Sequence, residues 1–337
     1  MRLYIGFIAY GESTAKYLPY FLPSLRNQTF KDFKILAVDN SEEEKNGNSA
    51  YIKNNFPEIE LTWAGKNLGF AKAFNLMIKE AVEAGAEYFL ALNPDMVLEP
   101  EAAGKMLEVM ESDEKIGAVA PKILYWDFIK NKKTGIIDSY GIFITPEHRF
   151  SDCHQGEQDK KDLIASEEVF GFTGAAVMLR LKALRDVAYD NGNYPEYFDE
   201  LMFMYKEDCD LSYRLRLAGW KIIFSPNAVA YHHRSIAPVG ESNWQIILNR
   251  AKKNKQVKKW AYLNHWILLV KYKNLPISWR VKSATWWYQI KSLVFVLLLE
   301  QYLLKEFIKL WSLSSEIKKR REQLKIRVGI NEIEKYM

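Results

Sequence analysis

Acids, amides and glycines recur at the ends of apolar runs in this 337-residue chain, a placement that suits a phosphorylated ligand. In "LALNPDMVL", residues 90–98, a hydrophobic run stops at Asn93-Pro94-Asp95. A proline cannot donate to a sheet ladder, so Pro94 ends or edges a strand and Asp95 follows just beyond it. Three other stretches share this build: Tyr10-Gly11-Glu12 with Ala9 before it, Asp39-Asn40-Ser41, and Lys66-Asn67-Leu68-Gly69 with Phe70 after it. Asp39 and Asn40 can accept from or donate to a base and a ribose. Gly69 would let a ligand approach a helix N-terminus, where free N–H groups favour phosphate. Asp95 could hold Mg²⁺ or Mn²⁺, ions that take one or two carboxylates and leave their other positions to phosphates and water. Each stretch alone reads as an ordinary turn, but four on successive strands point to a nucleotide.

A second acidic group sits in "YKEDCDLSYRLRLAGW", residues 205–220, where Glu207, Asp208 and Asp210 begin a helical pattern that Gly219 ends. Acids at a helix start suit the macrodipole, and Asp210 has Arg214 at i,i+4. The sharper reading makes one carboxylate a general base, within hydrogen-bond reach of the proton it removes. His232 and His233 follow the run "AVAY", where a histidine is either structural or a ligand.

The elements that must position these residues alternate. Residues 2–10, 33–41, 59–65 and "EYFLALN" read as strands. Between them "STAKYLPYFLPSLRNQ" reads as one helix capped by Ser13 or Thr14, and 67–85 as a second that ends at Gly85. Strand and helix in turn argue for an α/β fold with a mostly parallel, Rossmann-like sheet and helices on both faces. Such sheets keep ligands at the carboxyl ends of their strands, where the four turns fall. A helix at about 100–112, a strand at 116–124 and a hairpin around 136–144 follow. Residues 145–166 form a long polar loop, a candidate lid, and "KIIFSPNAVAYHH" a strand pair broken at Ser-Pro-Asn.

The order of these stretches resembles the family 2 glycosyltransferases with the GT-A fold, in particular their bacterial rhamnosyltransferase-like branch. "VDNS", "NLGFAKAFN", "LNPDMVLEP", "FTGAAVMLR" and "YFDELMFMYKEDCDLSYRLRLAGWKIIFSPNAVAYHH" fall in the family's order over residues 3–236. Gly11 stands where the family commonly has Asn, and Lys72 where small residues are usual; both bear on the donor sugar. The resemblance implies transfer of a sugar, rhamnose or another hexose, from a nucleoside-diphosphate carrier to a saccharide or lipid-linked glycan acceptor in cell-surface polysaccharide synthesis. It assigns Asp95 to the metal and Asn93 to ribose or phosphate. Phe70 and Asn75 fall on the donor side, and Thr173 and Gly174 beneath the donor sugar. It makes Asp208 the base, with Glu207 the second candidate, and brings His232 to the metal or diphosphate. Phe198, Asp199 and Glu200 are implied on the acceptor side. A single carboxylate on that side gives single displacement and inversion, unlike the carboxyl pair that flanks the bond in a glycosidase. A nucleotidyltransferase, or an inactive glycan- or complex-binding subunit, are the alternatives.

Charge divides the chain in two. Residues 240–337 hold 20 Lys and Arg against 7 Asp and Glu, and 7 of the 10 Trp; the preceding 239 residues hold 27 basic and 35 acidic side chains. This predicts a catalytic domain over 1–240 and a basic, Trp-rich helical tail over 241–337. Its uncharged runs are shorter than the roughly 20 apolar residues of a membrane span. Basic residues beside Trp and Leu suit helices lying on an anionic membrane surface; the catalytic domain, a partner subunit or a second copy of the chain is the other cover. No nucleic-acid module accompanies the basic tail. Two cysteines give neither a disulfide framework nor a zinc spacing, and "MRLYIGFIAYGES" lacks the h-region of a signal peptide. A cytoplasmic chain on the inner face of the membrane is expected.

Overall fold

The computed structural model describes residues 1–159, 165–234, 250 and 254–337. Both the boundary expected at 240 and residues 160–164 of the expected lid lie outside them. Four parallel strands, β1 (Leu3–Ala9), β2 (Phe33–Asp39), β3 (Glu60–Trp63) and β4 (Tyr88–Leu92), lie in the order β3-β2-β1-β4. Their connections carry α1 (Gly11–Ala15), α2 (Leu18–Arg26), α3 (Gly47–Asn55) and α4 (Gly69–Glu83). Then come β5 (Met96–Leu98), α5 (Ala102–Glu111), β6 (Ile116–Asp127), β7 (Lys132–Ser139), β8 (Ile142–Ile144), β9 (Phe150–Asp152) and β10 (Glu167–Glu168). The body closes with β11 (Ala176–Arg180), α6 (Leu181–Val187), β12 (Tyr189–Asp190), β13 (Pro195–Glu196), α7 (Glu207–Leu217) and β14 (Lys221–His232).

Antiparallel β11 joins β4 to β6, and β14 runs parallel to β6, which brings the carboxyl ends of β1, β2, β4, β6 and β14 to one edge. Alternation along β1 makes the two-faced core. Leu3, Ile5, Phe7 and Ala9 face α2, α3 and α5, with the Phe7 and Phe21 rings edge to face at 5.1 Å. Tyr4, with Leu36 and Val38 of β2, faces α4, α6 and α7.

Three local expectations change. The first helix is broken into α1 and α2 because Pro19 opens a new helix in its first turn, a position where its missing N–H costs nothing. Its N-cap is Tyr10, whose backbone N–H donates to the Thr14 hydroxyl at 2.8 Å. The hairpin expected around 136–144 is instead β7 folding back on β6, while β8 pairs with β9. "KIIFSPNAVAYH" is one strand, β14, in which a register shift between Ser225 and Val229 absorbs Pro226.

The tail forms α8 (Lys255–Tyr272), α9 (Trp279–Leu299), α10 (Lys305–Ser312), α11 (Ser314–Glu322) and α12 (Asn331–Glu334). Among the described residues no helix is long and apolar enough to cross a membrane. α8 lies against α7: Leu263, Ile267 and Leu268 share a core with Tyr213 and Leu217, and the rings of Tyr213 and Tyr272 stack at 4.2 Å. Each such side chain, fully buried, contributes about 1.5–3 kcal/mol.

An ionic clamp fixes the same contact. Lys271 of α8 is wholly buried and pairs with Asp199 and, at 2.6 Å, with Asp210. Arg214 takes the other Asp210 oxygen at 2.9 Å, as its i,i+4 spacing predicts. Arg320 of α11 pairs with Glu196 at 2.8 Å and lies 2.9 Å from Asp199. Burial opposes the charge on Asp210, but Lys271 and Arg214 outweigh it and hold the carboxyl below its ordinary range. In contrast, α9 and α10 leave Trp279, Trp286, Trp287, Leu298 and Trp311 at 60–80% exposure.

Candidate active site

Backbone geometry builds the site from the ends of the strands. Asn93 leaves β4 and its N–H donates to the Ala175 carbonyl at 2.8 Å, which sets the Asn-Pro-Asp turn beside Thr173 and Gly174 at the entrance to β11. The Gly174 N–H donates to Oδ2 of Asp208 at 2.9 Å, and the Cys209 N–H to its Oδ1 at 2.7 Å. The space beside Gly174 is narrow: a Cβ would lie 3.1 Å from the Phe70 ring and 3.6 Å from Oδ2 of Asp208. The partly exposed Asp208 carboxylate is thus held at the start of α7, one residue from the turn's hydrogen-bond partner.

Asp95 sits just before β5, which pairs with β14 so that Met96 opposes His232. Oδ2 of Asp95 lies 3.3 Å from Nε2 of His232. Nδ1 of His232 is 2.8 Å from Oδ2 of Asp138, a wholly buried acid on β7 that spacing does not single out. Burial disfavours the imidazolium, but Asp95 and Asp138 outweigh it and raise His232 to about 10. Arg234 completes the group, 2.8 Å from Asp152 and 3.3 Å from Asp138. The two carboxylates thus favour positive charge at this point, either a proton on the ring or a metal ion that displaces it, because only the neutral imidazole has a lone pair to offer a metal.

This donor set fits a divalent ion. Asp95 offers an oxygen and His232 a nitrogen, and Asp138 orients the ring as an outer carboxylate does for a ligating histidine. Among the described residues no group of three or more Asp, Glu, His or Cys side chains gathers in metal-holding geometry. An ion held there would have to take its remaining positions from other oxygens, such as those of a diphosphate or water.

On the other side of the edge the first three of the four loops are stitched together. The Gly11 N–H donates to the Ser41 hydroxyl at 3.0 Å, and the Asn40 amide donates to the Gly69 carbonyl at 3.1 Å. Ala9 is buried at the end of β1, while Tyr10 and Glu12 are exposed. Several residues expected at the ligand are turned inward instead. Asp39 is wholly buried and its oxygens accept from the Ser41 N–H and the Asn46 amide, so it shapes its own loop. The start of α4 is not open to phosphate. The Gly69 N–H donates to Asn67 at 2.9 Å and the Phe70 N–H to the Phe203 carbonyl at 2.8 Å. Gly69 has φ +76°, and a Cβ there would meet that carbonyl at 2.3 Å. Asn75 is buried, donating to the Phe198 carbonyl and accepting from the Tyr197 and Phe198 N–H groups, so it fastens α4 to the 197–203 segment.

The acceptor-side expectations are corrected in the same way. Phe198 is wholly buried against Phe70 and Phe74, and Asp199 belongs to the ionic clamp. Glu200 remains partly exposed, accepting from Asn75 and from the Tyr194 hydroxyl. Glu207 is buried, with one oxygen unpartnered among the described residues. Desolvation, helped by neighbouring Asp208, pushes its carboxyl well above the ordinary range. Burial thus favours its protonated form and keeps it from the open face. The sequence signals for Asp138 and Lys271 were weak: each is a lone charge in an apolar run.

A mostly parallel sheet that gathers an Asn-Pro-Asp turn, a histidine and a half-exposed carboxylate at one edge defines a GT-A glycosyltransferase. Residues 4–187 match glycosyl transferase family 2, and the chain belongs to that family. It is 26% identical over 249 residues to an N-acetylglucosaminyl-diphospho-decaprenol L-rhamnosyltransferase of Mycobacterium tuberculosis, an alignment covering 68% of this chain and 75% of that one. Among solved structures, the fold is similar to GalNAc-T7 with UDP, GalNAc and Mn²⁺, with TM-score 0.56 and 14% identity over 79% of this chain. The chain spans only 47% of that protein's length. It is also similar to S. aureus TarS, with TM-score 0.50 and 14% identity, covering 94% of this chain and 55% of that one.

Proposed function

We propose that this glycosyltransferase moves a sugar, rhamnose or a related hexose, from a nucleoside diphosphate to a lipid-linked saccharide, with inversion and with help from Mg²⁺ or Mn²⁺. The observation that carries the reading is the Asp208 carboxylate, anchored to the Gly174 N–H beside the Asn93–Asp95 turn. An acceptor hydroxyl at Asp208 gives up its proton there as its oxygen attacks the anomeric carbon from the side opposite the leaving nucleoside diphosphate. One displacement at that carbon inverts it. Asp95 and His232 would hold the cation, which when bound neutralises charge on the diphosphate. The lipid-linked acceptor is supported by likeness to a relative named for a diphospho-decaprenol substrate.

The test is slow hydrolysis of dTDP-, UDP- and GDP-sugars by the purified protein with Mn²⁺ or Mg²⁺. One donor should be cleaved, and Asp95→Ala should weaken the apparent affinity for the cation by at least about 10-fold, since even an outer-shell partner of a ligand is typically worth about 10–100-fold. Cation dependence unchanged in Asp95→Ala would remove Asp95 from the metal. Absence of nucleotide-sugar binding by calorimetry would remove the transferase reading.

The tail supports docking on the inner, anionic face of a membrane. α9 and α10 expose Trp286, Trp287, Leu298 and Trp311, and the segment from 240 onward carries a balance of +13. Vesicles of phosphatidylglycerol should carry the protein upward in flotation, and Trp287→Ala with Leu298→Ala should leave it at the bottom of the gradient. Equal flotation of both proteins would place the contact elsewhere.

A further inference from the structure

An open cavity of about 690 Å³ lies between the catalytic body and the tail. Its walls come from the segment around Glu147–Phe150, from Lys206 at the start of α7, from α8 and from α9. Five cations line it, Arg149, Lys206, Arg250, Lys258 and Lys291, against one lining acid, Glu147. Glu300 already pairs with Arg250 at 2.7 Å and with Lys258 at 2.9 Å. Arg149, Lys206 and Lys291 have no ion-pair partner among the described residues and lie instead near the rings of Tyr288, Phe150 and Trp287. His265 adds no charge, since burial pushes its pKa down to about 3. Glu147 offsets part of this charge, its carboxyl being held low by Thr145 and, in part, by Arg149 and Lys291, and one acid against three unpaired cations leaves the cavity with an excess of positive charge.

Position says what anion belongs there. Lys206 is two residues before Asp208, so one wall of the cavity and the proposed base are carried on the same short stretch at the start of α7. The donor diphosphate is already provided for by Asp95 and His232, at the ends of other strands. On α9 the cavity face carries Tyr288, Lys291, Ser292 and Phe295, spaced i, i+3, i+4, i+7, while Trp286, Leu293 and Leu297 stand exposed on the opposite side. One helix thus offers a cation and two hydroxyls inward and an apolar surface outward. An anion joined to a hydrocarbon chain matches both.

We propose that this cavity binds the diphosphate of the acceptor lipid, placing the sugar that follows it at Asp208. The proposal rests on the lipid-linked acceptor proposed above. Arg149 and Lys291, with Lys206, would donate to the phosphate oxygens, and the prenyl chain would leave past Phe295 toward the bilayer.

Full-length protein in detergent would be titrated with farnesyl diphosphate, inorganic pyrophosphate and farnesol. Farnesyl diphosphate should bind, and the paired substitution Arg149→Ala with Lys291→Ala should weaken it about tenfold or more, since hydrogen bonds to charged groups are among the strong ones. Glu147→Gln should tighten it, a gain that misfolding cannot imitate. Pyrophosphate bound as tightly as farnesyl diphosphate would keep diphosphate recognition but overturn the lipid as its source. Farnesyl diphosphate ignored by the wild-type protein, or held equally by all three proteins, would overturn the proposal. Nucleotide-sugar binding by the wild-type protein is measured separately; its absence would sink the transferase reading, whereas its presence beside unchanged lipid binding sinks this inference alone.

Discussion

Asp208→Asn is expected to lower the turnover of sugar transfer by about 10²–10⁴-fold, the usual contribution of a positioned general base. The substitution keeps the volume at the start of α7. One carbonyl oxygen can still accept from Gly174 or from Cys209, the two backbone groups that now hold the carboxylate at 2.9 and 2.7 Å. What it cannot do is take a proton from an acceptor hydroxyl. Donor binding should be largely kept, because the residues proposed for the donor diphosphate, Asp95 and His232, lie just before β5 and at the end of β14. The measurement is transfer to a lipid-linked acceptor at saturating substrates, with nucleotide affinity and unfolding midpoint alongside. A loss below about tenfold, with affinity and midpoint intact, would take the base role away from Asp208.

Lys271→Ala is expected to destabilise the protein by about 3–5 kcal/mol, the cost of stranding buried charge. Lys271 is fully enclosed, and its ammonium lies between Asp199 and Asp210. Without it the two carboxylates face one space, with Arg320 and Arg214 left to compensate from one side each. The exposed pair of Arg2 and Glu87 gives the contrast, since its removal should cost well under about 1 kcal/mol. Burial disfavours the Lys271 ammonium, yet Asp199 and Asp210 raise its pKa above the ordinary 10.5. Lys271's share is therefore complete below that value and fades as pH climbs through its raised pKa, whereas the share of Asp210, held below its ordinary range, is lost as pH falls through that lowered pKa. Urea denaturation at neutral pH decides the matter: a change under about 1 kcal/mol would mean that packing alone holds α8 in place.

Much of the architecture was legible because periodicity reports on neighbours close in sequence. The alternation of β1 and the apolar stripe of Phe74, Met77, Ile78 and Ala81 on α4 place strand and helix without reference to anything distant. The turn after β4 was legible for the same reason, since Pro94 acts on its own backbone. The parts that could not be read depend on partners far along the chain. Asp199 looked like an acceptor-side acid because nothing near it shows that Lys271 will neutralise it 72 residues later. The glycine at 69 looked like a phosphate turn, but the group it admits is the backbone carbonyl of Phe203, to which side-chain identity gives no clue. Asp138 reaches His232 across 94 residues, from a strand whose lone acid has no local function.

The clamp also bears on how such a chain can be recombined. Composition changes near residue 240, and a recombination point there would look natural. Electrostatically it falls in the wrong place: the acids Glu196, Asp199 and Asp210 lie before it, while two of their cations, Lys271 and Arg320, lie after it. A tail taken from a relative that lacks those two cations would leave the body with buried, uncompensated carboxylates. The inheritable unit is therefore the body together with α8 through α11, and any tail that replaces them must bring a lysine and an arginine to the same two places.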